Sequence, residues 1–278
     1  MTASFTMHLK ALARAALRGR HGALAPGEFV APDWDLYAMD IRRPFETIES
    51  EQRETRIVHA ALEALCRRGI LPAPDYDRDR YAAFRKQVQA AFDIPWTAIT
   101  PRMQRLIYAI NAIHRPDTMI AAGVFCGNTF VSNAGAAVGA GAVYAARALI
   151  GLEIDPAEAA RAERNVRTVD PTGVARILAA DAIAFCRDYP DPIDLLYLDA
   201  DDEGGRGKTI YLTIAEAAWS RLRPGALLLA HNSVNDAREL RTYLEFVRDP
   251  SHCRESLNMV IDGEGLEVSI KADEPAGP

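Results

Sequence analysis

The spacing of apolar residues changes near residue 99, and the change divides the chain into two unlike parts. In the first part apolar positions recur every three or four residues, which predicts amphipathic helices over residues 4–19, 48–69 and 77–92. Residues 22–47 are rich in proline, glycine and aromatic residues, so we expect a long connection that packs on the rest of the chain. We expect residues 1–97 to form an N-terminal helical cap, or lid.

In the second part, residues 98–271, short apolar runs alternate with helical segments, the first from Thr100 and the last from Asn235. The runs are almost continuously apolar, as in strands covered on both faces. Such alternation predicts an open α/β sheet with right-handed crossovers. The closing run SLNMVIDGEGLEVSIK predicts an antiparallel hairpin, because two alternating segments flank a turn of glycine and acidic residues. Residues 272–278 we expect to be a disordered tail.

Composition and charge narrow the class of protein. The chain has 278 residues, of which 49% are hydrophobic and 25% charged, close to a globular average. A net charge of −6 argues against broad nucleic-acid binding, and no apolar run reaches the ~18 residues of a membrane helix. Four widely spaced cysteines form no metal or redox motif, so we expect a reducing, cytoplasmic compartment. The acid-free, arginine-bearing N-terminus also resembles an organelle transit peptide, but we favour an ordinary first helix.

Ligands of an open α/β sheet bind beyond the carboxyl ends of its strands, so those ends are the place to look for chemistry. The first strand ends in a glycine turn that lets the backbone approach a ligand, with the candidate residues Gly123, Phe125, Gly127 and Asn128. Glycine turns of this kind are equally common for purely structural reasons.

Acids follow the next three strands. After the second, Asp155 precedes a proline and suits a helix cap, which leaves Glu153 to accept hydrogen bonds from a ribose diol. After the third, Asp181 suits either an adenine amino group or a helix cap. After the fourth, Asp199 opens the acidic run Asp199–Glu203, whose like charges need cations, partners or water.

The fifth strand ends in His231 and Asn232. An imidazole has an unperturbed pKa near neutrality, so His231 can act as a general base. The alternative is that it merely hydrogen-bonds the loop.

The order of these features resembles the class I S-adenosylmethionine-dependent methyltransferases, in particular the small-molecule O-methyltransferase branch with the catechol and caffeoyl-CoA enzymes. The similarity covers residues 99–271 and is carried by ITPRMQRLIYAI, by LYLDADDEGG with the following YLTIAEAAWSRLRPGALLLAHN, and by SLNMVIDGEGLEVS. It implies S-adenosyl-L-methionine as cofactor. It also implies a seven-stranded Rossmann-like sheet whose last strand is antiparallel.

The resemblance also assigns roles. It implies that the glycine turn lies against the methionine and ribose of the cofactor, that Glu153 and Asp181 bind its ribose and adenine, and that Asp199 stands near the sulfonium. In the metal-dependent branch, the acid at Asp199 and an Asp-Asn pair after the fifth strand bind a divalent cation.

This chain departs from the family pattern at three positions. Ala121 replaces an acid before the first glycine, His231 replaces the aspartate of the Asp-Asn pair, and Asp202 stands where a lysine base usually follows the Asp-Ala-Asp sequence of residues 199–201. An imidazole in place of a carboxylate disfavours magnesium. We therefore expect no metal.

We expect methyl transfer to an oxygen or nitrogen of a small molecule, with His231, Asn232 and Asp199 as catalytic residues. Two alternatives stay open. One is a non-methylating enzyme that displaces or cyclises the cofactor's aminobutyrate chain and releases methylthioadenosine. The other is a non-catalytic cofactor-binding protein. We expect a small-molecule substrate, neither nucleic acid nor membrane as partner, and leave open a homodimer.

Overall fold

The computed structural model describes residues 29–202, 205 and 207–273. The sequence predictions that lie wholly or partly outside the described residues are the helix over residues 4–19, the start of the 22–47 connection and of the 1–97 cap, the end of the acidic run at Glu203, and the tail beyond residue 273.

One eight-stranded sheet organises the described chain. Its strands are β1 (Phe29–Val30), β2 (Thr118–Ala122), β3 (Ala148–Glu153), β4 (Ala175–Ala179), β5 (Ile193–Leu198), β6 (Leu222–His231), β7 (Cys253–Val260) and β8 (Leu266–Lys271). Their order across the sheet is β1-β7-β8-β6-β5-β2-β3-β4, and β8 runs antiparallel to both of its neighbours. The predicted open α/β sheet and its closing hairpin are confirmed. The sheet has eight strands rather than seven because β1 adds a parallel edge strand to β7.

Eight α-helices complete the described fold: α1 (Glu51–Arg67), α2 (Arg78–Ala91), α3 (Pro101–His114), α4 (Asn128–Ala134), α5 (Pro156–Val169), α6 (Ala182–Asp188), α7 (Ile210–Ala218) and α8 (Arg241–Val247). Several begin at a side chain that accepts the free amides of the first turn, as Ser50 does before α1 and Thr100 before α3. None of the described helices is long and apolar enough to span a membrane. All four cysteines are free thiols.

The helix predicted from Asn235 is wrong in its start, because the chain forms turns until α8 begins at Arg241. Asn232 Nδ2 donates to Asn235 Oδ1 over 3.2 Å, and Asn235 Nδ2 donates to Asp236 Oδ2 over 3.1 Å. Short polar side chains that bond locally in this way compete with helix formation.

The sheet is covered on both faces. One face packs against α1, α3, α4 and α5, and the other packs against α6, α7 and α8. This explains why the central strands are apolar at nearly every position. It also leaves the ends of the strands as the place where polar side chains collect.

Two buried arginines on α3 hold the N-terminal residues to the rest of the fold. Arg102 is fully buried and donates to Glu49 over 2.7 Å and to Asp33 over 2.9 Å. Arg105 is 1% exposed and donates to Glu54 over 2.6 Å. Charge-assisted bonds of this kind offset the cost of removing the guanidinium groups from water.

Replacing Arg102 with methionine should destabilise the protein by ~3–5 kcal/mol, because Glu49 and Asp33 would lose their buried partner. Equilibrium urea unfolding followed by circular dichroism measures the change. Arg43→Ala is the matched control, since the Arg43 side chain is 67% exposed and its ion pair with Glu46 should contribute less than ~1 kcal/mol. Equal losses in the two variants would contradict the structural role of Arg102.

Candidate active site

The register of the central strands brings the predicted site residues to one edge of the sheet. Ala122 at the end of β2 pairs with Leu152 in β3 and with Leu198 in β5, and Leu198 pairs with Ala230 in β6. The residue that follows each of these is a candidate named from the sequence: Gly123, Glu153, Asp199 and His231.

Gly123 and Gly127 shape the turn between β2 and α4. Gly123 has a φ of +77°, and a Cβ there would overlap the backbone of Ala200. Gly127 has a φ of +89° and is the N-cap of α4. Asn165 steadies the turn by donating a 2.8 Å hydrogen bond to the Cys126 carbonyl oxygen. Both glycines are therefore required by the chain's own packing, and their contact with a cofactor stays a prediction.

Glu153 is tied to the glycine turn. Its Oε2 accepts a 2.7 Å hydrogen bond from the N–H of Phe125, and its Oε1 accepts a 3.1 Å bond from the N–H of Asp155. Asp155 caps α5, as the sequence predicts, through the amides of Ala157 and Glu158. The next residue after Glu153, Ile154, is 67% exposed, which is unusual for a large apolar side chain.

Trp96 and Thr97, which connect α2 to α3, cover the glycine turn. The Trp96 ring lies 4.7 Å from the ring of Phe125 and is still 46% exposed. Asn128 Nδ2 donates a 3.0 Å hydrogen bond to Thr97 Oγ1, and the Thr97 N–H donates to the Ile41 carbonyl oxygen over 2.8 Å. The N-terminal residues thus reach the edge at which the candidates meet.

Asp181 is an exposed helix cap. Its Oδ1 accepts hydrogen bonds from the N–H groups of Ile183 and Ala184 over 2.7 and 3.1 Å. Asp181 therefore has the helix-capping role, and an adenine contact by the same side chain stays a prediction.

Asp199 is the centre of the polar edge. Its Oδ1 lies 3.2 Å from Lys208 Nζ and 3.3 Å from His231 Nδ1, and its carbonyl oxygen accepts a further 3.1 Å bond from Lys208 Nζ. Burial opposes ionisation of this carboxyl, but Lys208 and His231 outweigh it and hold the pKa of Asp199 below its usual value.

His231 is 2% exposed, and its Nε2 is buried with no hydrogen-bond partner in the described structure. Burial alone would lower the pKa of His231. Asp199, together with Asp262 and Glu264, more than offsets the burial and raises that pKa above its usual value.

Sequence reasoning missed Lys208. The position directly after Asp-Ala-Asp, where the family has a lysine, is Asp202. The chain then turns back, with a bridge between Asp202 and Gly207, and Lys208 lies against Asp199. Glu239 holds the turn by accepting the N–H of Lys208 over 2.8 Å. The lysine that follows GGRG in the sequence was the available signal.

Sequence reasoning also missed Glu264, which it placed only in a hairpin turn. Glu264 Oε2 accepts a 2.9 Å hydrogen bond from Asn232 Nδ2, and the Glu264 carbonyl oxygen accepts the N–H of Val234 over 2.8 Å. Asn232 has a φ of +65° and is 6% exposed, so its side chain is fixed by these bonds. Burial raises the pKa of Glu264, and Asp262 adds to the shift, which outweighs the opposing effect of His231.

Among the described residues, no group of three or more His, Cys, Asp or Glu side chains is arranged to hold a metal ion. The three predicted catalytic residues Asp199, His231 and Asn232 do lie at one edge, with Asp199 and His231 in direct contact.

Comparisons with known proteins address the fold and the cofactor. Residues 120–233 match a sequence family described as a methyltransferase domain. The cofactor-bound protein Rv0187 from MTB has 16% sequence identity and a TM-score of 0.54, and the match covers 71% of this chain and 92% of that one. No curated protein matches the chain in sequence.

Two further solved structures have the same fold. The O-methyltransferase from Bacillus cereus in complex with SAH is 16% identical, with a TM-score of 0.50, 71% of this chain covered and 92% of that chain. The O-methyltransferase TomG from Streptomyces achromogenes, in complex with SAM, is 18% identical, with a TM-score of 0.50, 81% of this chain covered and 100% of that chain. Residues 120–233, from β2 to just beyond β6, therefore match a methyltransferase domain, and the described chain shares the fold of methyltransferases solved with their cofactor or its product.

Proposed function

We propose that the protein transfers a methyl group from S-adenosyl-L-methionine to a small-molecule acceptor, with an oxygen as the favoured nucleophile, and that it does so without a metal ion. The observation that carries the proposal is the Asp199–His231 pair, in which Nδ1 faces the carboxylate and the buried Nε2 has no partner. The solved O-methyltransferases with the same fold support oxygen over nitrogen.

The residues at the end of β3, on the same edge of the sheet as Asp199, fit the cofactor. Glu153 uses each carboxylate oxygen once within the protein, and a carboxylate has about four lone-pair sites, so it can accept ribose hydroxyls as well. Ile154 offers an exposed apolar surface beside it, suited to a flat base. The bound cofactor supplies a methyl group on a positively charged sulfur.

The remaining cofactor contacts are part of the same proposal. The turn residues Gly123, Phe125, Gly127 and Asn128 would line the methionine and ribose, Asp181 the adenine and Asp199 the sulfonium. The N-terminal residues 1–97 would act as a cap, since the Trp96–Phe125 contact already places one of their side chains on the turn.

Asp199 sets the tautomer of His231. A carboxylate at Nδ1 favours the imidazole that carries its proton there, which leaves a lone pair at Nε2. His231 would then take the proton of the acceptor hydroxyl, and Asp199 would stabilise the imidazolium that forms. Asn232, fixed by Glu264, would orient the acceptor. Because positioning supplies much of the acceleration in such a displacement, these few polar groups suffice.

Replacing Glu153 with alanine should weaken binding of S-adenosyl-L-methionine by ~1.5–3 kcal/mol, the range for hydrogen bonds to a charged group. Isothermal titration calorimetry measures the change. Asp155→Ala is the matched control, because it removes a neighbouring carboxylate that caps α5 and should cost stability rather than affinity. Unchanged affinity in the Glu153 variant would remove this residue from the ribose.

The pKa of His231 should lie above 6.5 and fall when Asp199 is replaced by asparagine, because the carboxylate favours the imidazolium. The stability that this shift contributes should be complete below pH 6.5 and lost as the pH rises through the raised pKa. NMR titration of the ring C–H signals gives both pKa values, and turnover should rise over the same range because only the neutral ring accepts a proton. The same His231 pKa in the natural protein and the Asp199 variant would contradict the interaction between these two side chains.

Incubation with S-adenosyl-L-methionine and a panel of small hydroxyl and amine compounds should yield S-adenosylhomocysteine and a methylated hydroxyl compound in equal amounts, measured by mass spectrometry. EDTA should leave the rate unchanged, and His231→Ala and Asn232→Ala should each lower it ~10²-fold or more. Lys86→Met, on the exposed side of α2, is the control. Methylthioadenosine would instead indicate displacement at the aminobutyrate chain. If neither product forms, the protein binds the cofactor without catalysis.

A further inference from the structure

The metal site of the related branch does not fit the residues found here. At that site an acid equivalent to Asp199 shares a divalent cation with an Asp-Asn pair, and His231 stands in place of the aspartate. In this structure Asp199 Oδ1 is instead shared between Lys208 Nζ and His231 Nδ1, at 3.2 and 3.3 Å.

The chemistry of this donor set opposes a divalent ion. Magnesium prefers oxygen ligands, and an imidazole in place of a carboxylate removes one negative charge. An ammonium has three N–H donors and no lone pair, so it cannot be a ligand and repels any cation at the same carboxylate.

Hydrogen bonds fix the side chain and the backbone of Lys208 beside Asp199. Its side chain is 10% exposed, its Nζ also donates to the carbonyl oxygen of Asp199, and its N–H donates to Glu239. The ammonium group cannot leave Asp199 without breaking both hydrogen bonds of Nζ at a nearly buried position, while the bond to Glu239 fixes the backbone. The lysine is therefore a fixed part of the edge rather than a surface group that folds onto it.

We propose that Lys208 and His231 take the place of the divalent cation, so that the chain supplies the positive charge of its active site from its own side chains. The inference rests on the proposed function and names the acceptor class, a hydroxyl compound. The proton of that hydroxyl passes to His231 Nε2. Lys208 Nζ donates two of its N–H groups to the carbonyl and carboxylate oxygens of Asp199. The third N–H of Lys208 suits the oxygen of the substrate that receives the methyl group, because that oxygen is negative once its proton has left.

A titration with Mn²⁺ alone, followed by electron paramagnetic resonance and calorimetry, tests the proposal without substrate or turnover. Four proteins are compared: the natural chain, Lys208→Met, His231→Asp and the double variant, each checked for folding by circular dichroism. Lys86→Met controls for the loss of a positive charge far from the edge. The natural chain should show no saturable site, and the double variant should bind one Mn²⁺ at least tenfold more tightly.

Two outcomes would overturn the proposal. The first is one-to-one Mn²⁺ binding by the natural chain that Asp199→Asn abolishes, which needs no variant of Lys208 or His231 to fold. The second is a folded double variant that binds no Mn²⁺, since Lys208 and His231 would then not be what excludes the ion. Because neither readout depends on turnover, an inactive protein would count against the proposed function alone. Methylation of amines alone in the compound panel would overturn the acceptor class.

Discussion

The polar edge depends on a single carboxylate that is shared by a lysine and a histidine. Asp199 follows β5, Lys208 returns after a turn, and His231 ends β6, so three segments of the chain meet at one oxygen. Lys208 and His231 together hold the pKa of Asp199 below its usual value, whereas burial alone would raise it. Removal of Lys208 or His231 would therefore raise the pKa of Asp199 as well as break one hydrogen bond.

A second set of ion pairs positions the N-terminal residues that lie over the glycine turn. Arg102 and Arg105 bind acids from the segments before and within α1, and this fixes where the N-terminal residues run. Trp96 and Thr97 then reach the glycine turn from the short connection that leads into α3. Buried ion pairs of Arg102 and Arg105 therefore join the N-terminal residues to the rest of the fold. Salt screens such buried pairs less than pairs at the surface.

Much of this arrangement could be predicted from the sequence, because strand periodicity and the rule that parallel strands end together are local properties. They place Gly123, Glu153, Asp199 and His231 on one edge before any coordinates are known. The rest depends on non-local folding. Lys208 reaches Asp199 only because a turn reverses the chain.

Three other features escaped the sequence pattern. The strand β1 has two residues, too few for a period, and becomes visible only through its pairing with β7. The buried charge of Arg102 contradicts the expectation that a charged position on a helix faces water. The delayed start of α8 follows from side-chain bonds among Asn232, Asn235 and Asp236, which hydrophobic spacing does not record.

The close approach of Gly123 to Ala200 has a mechanical consequence. With no side chain between them, the backbone of the turn after β2 rests on the backbone of the residue that follows Asp199. Neither segment has room to move toward the other at this point, and any side chain in place of Gly123 would push the two strand ends apart. The absence of a side chain at Gly123 thus sets the distance between the glycine turn and the residue beside Asp199.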